Sequence, residues 1–408
     1  MQFHKRTLPN GLTVIGETSP SALSAAVGFF VRTGSRDETP DVSGVSHFLE
    51  HMVFKGTPRR SAFDVNRDFD RIGANYNAFT SEENTVFYAA VLPEYLPQVV
   101  DILADILRPS LRGDDFDMEK NVILEEIEMY EDQPGSSAYD HAKRHYFASH
   151  PLGNSILGTA TSITALSRDQ MAAYFSSRYV ASNVTAVAAG NFDFDRFVEL
   201  CANACGSWNG ATSSRGCLTQ ASGSGAIQYC TKEKVTQEYV IMMSAAPAAS
   251  DVLRHAADTL ALAIGDDTGS RLYWALVDPG LAESADMSFS EYDAAGAYYT
   301  SYSCDPDQAT ANLEIIRKVL TEVQRDGITA DELARAKCKI GSRVVRGSER
   351  PMGRMQALGM SWTYLGQYRS VDDELKAFDA VTLDSIREVL NQFPIDDPTT
   401  LALGPLTG

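Results

Sequence analysis

The order of elements along this 408-residue chain is written twice, and that repetition limits the fold more than any single stretch does. Residues 211–226, "ATSSRGCLTQASGSGA", are rich in Ser, Gly and Thr, carry little periodicity and divide the chain almost in half. Before them, "TLPNGLTVIGE" reads as a hairpin about Pro-Asn-Gly and "AAVGFFVRTGS" as a buried strand. Helical patterns follow over 42–55 and 62–72, then a strand pair in "NYNAFTSEENTVFYAAVL" and three helical patterns before residue 150. After the linker come strand-like "AIQYCTKEKVTQEYVIMMSAAP", helical "VLRHAADTLALAIG", a strand pair in "ADMSFSEYDAAGAYYTSYSC" and two long helices. The halves also end alike, with helix then strand: "RDQMAAYFSSRYV" and "NVTAVAAG" in the first, "TLDSIREVLNQF" and "PTTLALG" in the second. The expectation is an α+β chain of two similar domains from an internal duplication, each a mostly antiparallel sheet with helices packed on one face. They would span 1–210 and 227–408. An apolar content of 44% over this length suits two cores better than one.

Fifty-four acidic residues against 35 basic ones give a net charge of -19, which repels phosphate backbones and argues against a nucleic-acid partner. The six cysteines, Cys201, Cys205, Cys217, Cys230, Cys304 and Cys338, include no C-x-x-C pair and read as reduced thiols. Cys201 and Cys205 share a helix face, where a buried apolar role outweighs a thiol pair. Neither a leader pattern nor a run of about 18 apolar residues is visible, so the chain as given reads as cytoplasmic and without a membrane partner.

The first half holds a feature that the second lacks. "GVSHFLEHMVFKG", residues 44–56, places His47, Glu50 and His51 on one face of a helix, since side chains three and four apart stack one above the other. Two neutral imidazoles one turn apart can grip one ion, and a carboxylate between them can take a proton from a water on that ion. H-x-x-E-H is the inverted zinc-peptidase order. A third ligand is needed. In "FDMEKNVILEEIEMYED", Val122, Ile123, Ile127 and Tyr130 read as an apolar stripe whose one polar member is Glu126. A carboxylate there costs several kcal/mol of desolvation, on the order of a buried unpaired charge, unless a cation meets it. Zinc on His47 and His51 would be that cation. Glu119, two turns earlier on the same side, is placed to orient a ligand histidine.

"SGVSHFLEHMVFKGT", "GANYNAFTSEENTVFYAAV" and "VILEEIEMYEDQP" together resemble the pitrilysin/insulysin family of zinc peptidases, and within it the short bacterial members and the catalytic subunit of the mitochondrial processing peptidase. The resemblance covers most of the first half and continues more weakly in the second. It implies one zinc ion per chain on His47, His51 and Glu126, water activated by Glu50, and hydrolysis of peptides or unfolded polypeptide segments. It also implies that a peptide substrate adds as a strand beside "NAFTS", with Asn77, Ala78 and Phe79 lining the cleft. The second domain would lack zinc and serve substrate enclosure and subunit contact.

One departure from the family bears on activity. Active members carry an Arg and a Tyr seven residues apart in the second half; here the corresponding stretch is "LVDPGLAES", with Val277 and Glu283 at or near those places. Arg271 and Tyr273 lie close by in sequence. In two-chain members a partner supplies that pair, so a dimer is expected, either a heterodimer with such a chain or a homodimer. The other reading is a noncatalytic or weakly active structural or partner subunit. Two further stretches have bland readings: His141, His145 and His150 in "HAKRHYFASH" as packing residues, and "SRDETPD", residues 35–41, as a solvated loop.

Overall fold

The computed structural model describes residues 1–216, 219–221 and 223–406; Cys217 lies outside them. The chain opens with strands β1 (Gln2–Thr7), β2 (Thr13–Thr18) and β3 (Ala25–Val31), then helices α1 (Val45–Val53) and α2 (Ala62–Arg71). The hairpin β4 (Asn75–Thr80) and β5 (Thr85–Val91) leads to α3 (Leu96–Ile106), α4 (Gly113–Asp132), α5 (Pro134–Phe147), α6 (Ala160–Ala165) and α7 (Arg168–Arg178). Strand β6 (Val184–Gly190) and α8 (Phe194–Cys205) close this run. The second run holds β7 (Ile227–Thr231), β8 (Glu238–Ala245), α9 (Arg254–Gly265), β9 (Ser284–Tyr292), β10 (Ala295–Cys304), α10 (Ala309–Asp326) and α11 (Ala330–Ser348). It ends with α12 (Pro351–Leu365), α13 (Val371–Asp379), α14 (Leu383–Gln392) and β11 (Thr399–Gly404).

Two sheets result, ordered β1-β2-β6-β3-β5-β4 and β7-β11-β8-β10-β9. With β1 set aside, the orders match strand for strand. Each sheet also has one parallel pair, β2 with β6 and β7 with β11, among antiparallel neighbours. The duplication read from element order is therefore present in topology and strand direction, and the α+β class stands.

The compact units do not follow the halves of the chain. Unit one comprises Met1–Ile127, Asn154–Gly216 and Val345–Arg369; unit two comprises Glu128–Gly153, Cys217–Val344 and Ser370–Gly408. A cut at 211–226 separates the strands of the two sheets but assigns α5 and α12 to the wrong units: α5 belongs with the second sheet and α12 with the first. Both helices open on a proline at the first turn, directly after a long helix, where a missing N–H costs nothing. Helices were expected on one face of each sheet. The opposite face carries this one exchanged helix.

Strand β3 shows why the sequence reads as an unbroken apolar run. Val27, Phe29 and Val31 face the cluster under α1 and α3, while Ala26 and Phe30 face Met355 and Leu358 of α12. Strand β8 behaves likewise: Val240 and Met242 meet the α9 cluster, and Ile241 and Met243 meet Ala138, Ala142 and Tyr146 of α5. Helix α12 sits so close to β3 that a Cβ on Gly359 would collide with the Phe30 ring. A buried ion pair fixes it further, Arg354 donating to both oxygens of Glu17 at 2.7 Å.

Candidate metal centre

Helix α1 buries Val45, Phe48, Leu49, Met52 and Val53, which turns His47 and His51 towards the neighbouring α4. Its start is fixed by Gly44, at φ +90°, and by a carboxylate from outside the helix: Glu38 accepts the N–H groups of Gly44 at 2.7 Å and Ser46 at 2.8 Å. These are among the donors that a helix N-terminus leaves unpaired. Burial pushes the Glu38 carboxyl up to about 8, against the pull of those two N–H groups. The stretch 35–41 was expected to be a solvated loop. Instead Ser35, Arg36 and Glu38 are buried and the Asp37 carboxylate is inaccessible, because these residues are used to anchor the helix start and its surroundings.

Helix α4 carries Glu119 and Glu126 past that face. Its buried stripe is Phe116, Glu119, Ile123 and Ile127, at offsets of three, four and four, with Glu126 half-buried at its edge. Val122 and Tyr130, expected in the stripe, are exposed: Val122 stands about 100° round the helix from Ile123, while Tyr130 shares the stripe's direction near the helix end.

His47, His51 and Glu126 each offer a ligand atom, and these atoms all lie within 4.8 Å of one another. The Nε2 atoms of His47 and His51 stand 3.7 Å and 3.5 Å from Glu126 Oε2. Atoms about 2.1 Å from a shared tetrahedral ion are roughly 3.4 Å apart, so the spacing suits zinc. That Glu126 oxygen is buried without a hydrogen-bond partner among the described residues. Burial pushes His47 down to about 3, which leaves it neutral and able to ligate. Burial also disfavours the charged form of His51, but the hydrogen bond to Glu119 and the charges of Glu126, Glu119 and Glu50 outweigh it and raise its pKa. Burial raises Glu126 as well, in part offset by His51. The donor set, two imidazoles and a carboxylate around a spot that lacks a protein cation, fits a divalent zinc ion.

Glu119 Oε1 meets His51 Nδ1 at 2.8 Å, and Lys55 Nζ meets Glu119 Oε2 at 2.5 Å. The pair fixes the imidazole with its Nε2 directed at Glu126. Burial raises the Glu119 carboxyl, but His51 and Lys55 bring it below its ordinary value. Glu50, on the same helix face, accepts a hydrogen bond from Thr80 Oγ1 at 2.6 Å. Burial raises its pKa, with Thr80 and His51 opposing.

Thr80 was not singled out in the sequence, and strand periodicity is the signal that finds it. Alternation puts Tyr76, Ala78 and Thr80 on the α1 side of β4, where Tyr76 and Ala78 pack against the α1 core. Phe79 packs with the α12 cluster on the other side, and the exposed Asn77 shares its parity. Asn77, Ala78 and Phe79 therefore do not form one side-chain surface. What they share is an edge strand, since β4 pairs with β5 alone.

Unit two repeats the frame without the site. Helix α9 follows β8 as α1 follows β3, and it carries His255, Asp258 and Thr259 where α1 has His47, Glu50 and His51. Arg343 of α11 stands eight residues before Pro351, as Glu126 of α4 stands eight before Pro134. Protein side chains take up these groups: His255 Nε2 meets Glu374 at 3.1 Å and Arg254 meets Glu291 at 3.2 Å. Burial and the charge of Glu291 hold Asp258 up at about 6. In the 276–284 stretch, Val277 ends a short π-helical turn, and Glu283 accepts from Gln237 at 2.6 Å. Arg271 is committed to Glu332, at 2.7 Å and 2.8 Å. Elsewhere in unit two, His145 and His150 pair with the carbonyls of Ala226 and Thr219. Cys201 and Cys205, by contrast, lie buried as free thiols in the first core.

The duplicated α+β frame carries the three convergent ligand side chains in one copy, and sequence likeness over 98% of its length places the chain in the M16 peptidase family. The insulinase (peptidase family M16) model matches residues 13–160, and the peptidase M16 inactive domain model matches 165–339. A Streptomyces coelicolor protein named as an uncharacterized zinc protease is 34% identical, over 98% of this chain and 89% of its own length. One of the same description from Bacillus subtilis is 30% identical, over 98% and 97%. Among solved structures, a protease from Helicobacter pylori superposes with TM-score 0.90 at 21% identity, covering 98% of this chain and 99% of that one. These likenesses support a zinc peptidase in general terms. Among the described residues no helix is long and apolar enough to cross a membrane.

Proposed function

We propose that this chain is a zinc-dependent endopeptidase that hydrolyses peptides or unfolded polypeptide segments, with one zinc ion held by His47, His51 and Glu126. The observation that carries the reading is the convergence of those three ligand atoms beside a glutamate that is held by something else, Thr80. Bound there, zinc would supply a Lewis acid for the scissile carbonyl and bring the pKa of a water in its open position towards about 7. Glu50 takes the proton of the attacking water and later gives it to the leaving amine. The Thr80 hydroxyl fixes Glu50 Oε2 and leaves Oε1 for that transfer. Glu119 and Lys55 keep His51 in one tautomer and orientation. The free edge of β4 receives the substrate as an added strand, so Asn77, Ala78 and Phe79 contribute main-chain groups more than a side-chain pocket.

The chain works in a dimer, and we favour a heterodimer in which a partner supplies an Arg and a Tyr near the scissile carbonyl. Val277 has no side-chain donor, Glu283 accepts from Gln237, and Arg271 is engaged by Glu332. The same observation favours a second reading, a weakly active or noncatalytic subunit. The test is zinc content together with cleavage of a quenched peptide by the wild type and by Glu50→Gln. The variant is expected to keep stoichiometric zinc and to lose about 10²- to 10⁴-fold in rate. An unchanged rate would refute the mechanism, and absence of zinc from the wild type would favour the noncatalytic reading.

A further inference from the structure

Residues 211–226 read from sequence as a linker, yet the part that belongs to unit one, with the two residues before it, is held at several points. Ala181 N–H donates to the Asn209 carbonyl at 2.8 Å, Ser182 Oγ to the Ala211 carbonyl at 2.6 Å, and Arg178 to the Ser214 carbonyl at 3.1 Å. Next comes Arg215, whose side chain is only 6% exposed. Its Nε and Nη2 grip the two oxygens of Asp37, each at 3.0 Å. Its Nη1 reaches Glu83 Oε1 at 3.2 Å, and Nη2 also donates to the Glu83 carbonyl at 2.7 Å. Both carboxylates are wholly inaccessible, and Arg36 adds a 2.7 Å contact to Glu83.

Asp37 and Glu83 belong to two segments that already touch. Arg36 N–H donates to the Glu82 carbonyl at 2.8 Å and Ser35 N–H to the Ser81 carbonyl at 3.3 Å. A Cβ on Gly34 would collide with the Ser81 and Glu82 carbonyls, so the approach is as close as a backbone permits. Each segment leads at once into the metal centre. Asp37 is followed by Glu38, which holds the first N–H groups of α1; the 81–84 turn is preceded by Thr80, which holds Glu50. The Arg215 guanidinium thus adds, beside Arg36 and the two backbone pairs, a tie between the anchor of the histidine helix and the strand end that aims the general base.

We propose that Arg215 is a positioning residue for peptide hydrolysis, acting through Asp37 and Glu83 to keep Glu50 and Thr80 in register with α1. The proposal rests on the peptidase reading above. A planar fork that binds four acceptors cannot be replaced by an ammonium at equal cost, since lysine offers a point charge without the fixed geometry. A misplacement of the general base by about 1 Å costs up to roughly 100-fold in rate.

The experiment uses the full zinc-loaded chain and a quenched peptide. Arg215→Ala leaves Asp37 to Arg178, at 3.6 Å, and Glu83 to Arg36, at 2.7 Å, without the fork that joins them, so the variants compared are Arg215→Lys and the neutral pair Arg215→Gln with Asp37→Asn. Arg354→Lys, which disturbs a buried ion pair of the same kind on the α12 face of the same sheet, is the control. Arg215→Lys is expected to keep zinc and to lose about 10- to 100-fold in kcat, with KM changed less than about threefold. Arg354→Lys is expected to lose thermal stability with kcat within about twofold. Amide hydrogen exchange is the second readout: residues 44–50 and 81–84 should exchange faster in Arg215→Lys and not in Arg354→Lys. Should Arg215→Lys fail to fold, the neutral pair carries both measurements. Equal losses of kcat in the Arg215 and Arg354 variants, or unchanged exchange at 81–84, would overturn the proposal. A wild type that cleaves nothing by itself would point to the heterodimer or the noncatalytic reading, and the exchange data would then decide the clamp.

Discussion

Replacing Glu119 by glutamine tests how much the metal site owes to a residue that does not touch the metal. The substitution preserves shape but removes the charge that meets His51 Nδ1 at 2.8 Å and Lys55 Nζ at 2.5 Å. Loss of such a partner weakens metal binding by about 10- to 100-fold, or roughly 1.4–2.7 kcal/mol. The effect is expected towards the upper end here, because Glu119 is 3% exposed and water cannot take its place. The assay is thermal unfolding at a free zinc concentration 100 times the wild-type Kd, where binding stabilises the wild type by about 2.7 kcal/mol. For Glu119→Gln the same concentration should add only about 1.4 kcal/mol if Kd rises tenfold, and about 0.4 kcal/mol if it rises a hundredfold. At about 2–4 °C per kcal/mol the zinc-dependent gain in Tm should shrink by roughly 3–9 °C. Chelator competition gives Kd directly. A Kd within about twofold of wild type would show that His51 is oriented without Glu119.

Other outcomes follow from the same geometry. Thr80→Val should retain zinc and lower kcat by about tenfold through the freed Glu50 carboxylate, with Thr80→Ser restoring most of it; an unchanged kcat would remove Thr80 from the mechanism. Asp258 is held up at about 6, so its folded form keeps the proton over a range where the unfolded chain, near 3.8, has lost it. Its stabilising effect is full below about pH 4 and is lost as pH rises through 6, on the order of 3 kcal/mol. Urea midpoints from pH 4 to 8 should therefore fall less steeply in Asp258→Asn, and identical profiles would contradict this. Arg354→Ala leaves the Glu17 carboxylate buried and should destabilise unit one by about 3–5 kcal/mol, read as a drop in Tm. A shift under about 1 kcal/mol would mean that water reaches Glu17.

How legible each feature was in the sequence depended on its range. His47, Glu50 and His51 follow from helical spacing alone, and Glu126 from being the one polar residue within the apolar stripe read on α4. Yet the stripe assigned to α4 was wrong in part: Val122 and Tyr130 are exposed, and the buried positions include Glu119. A helix whose carboxylates are satisfied by a histidine and a lysine buries charge that a hydropathy count assigns to solvent. The same misreading affected residues 35–41, where Asp37 and Glu38 are inside because Arg215 and the α1 N-terminus meet them. Those partners lie up to 178 residues away, beyond any local window. Thr80 was within reach of simple alternation along β4. Which sheet α5 and α12 would cover was not, since an apolar helix face carries no address.

The exchange of those two helices bears on how the molecule comes into being. Val345–Arg369 completes the packing on Ile15, Phe30 and Val187, residues that leave the ribosome well before it. During synthesis the first sheet must wait with one apolar face uncovered until almost the whole chain exists, and it is then a natural client for a chaperone that shields apolar surface. Neither half made alone has everything its own sheet needs. The two halves expressed as separate chains are expected to purify only together, each supplying the helix that finishes the other.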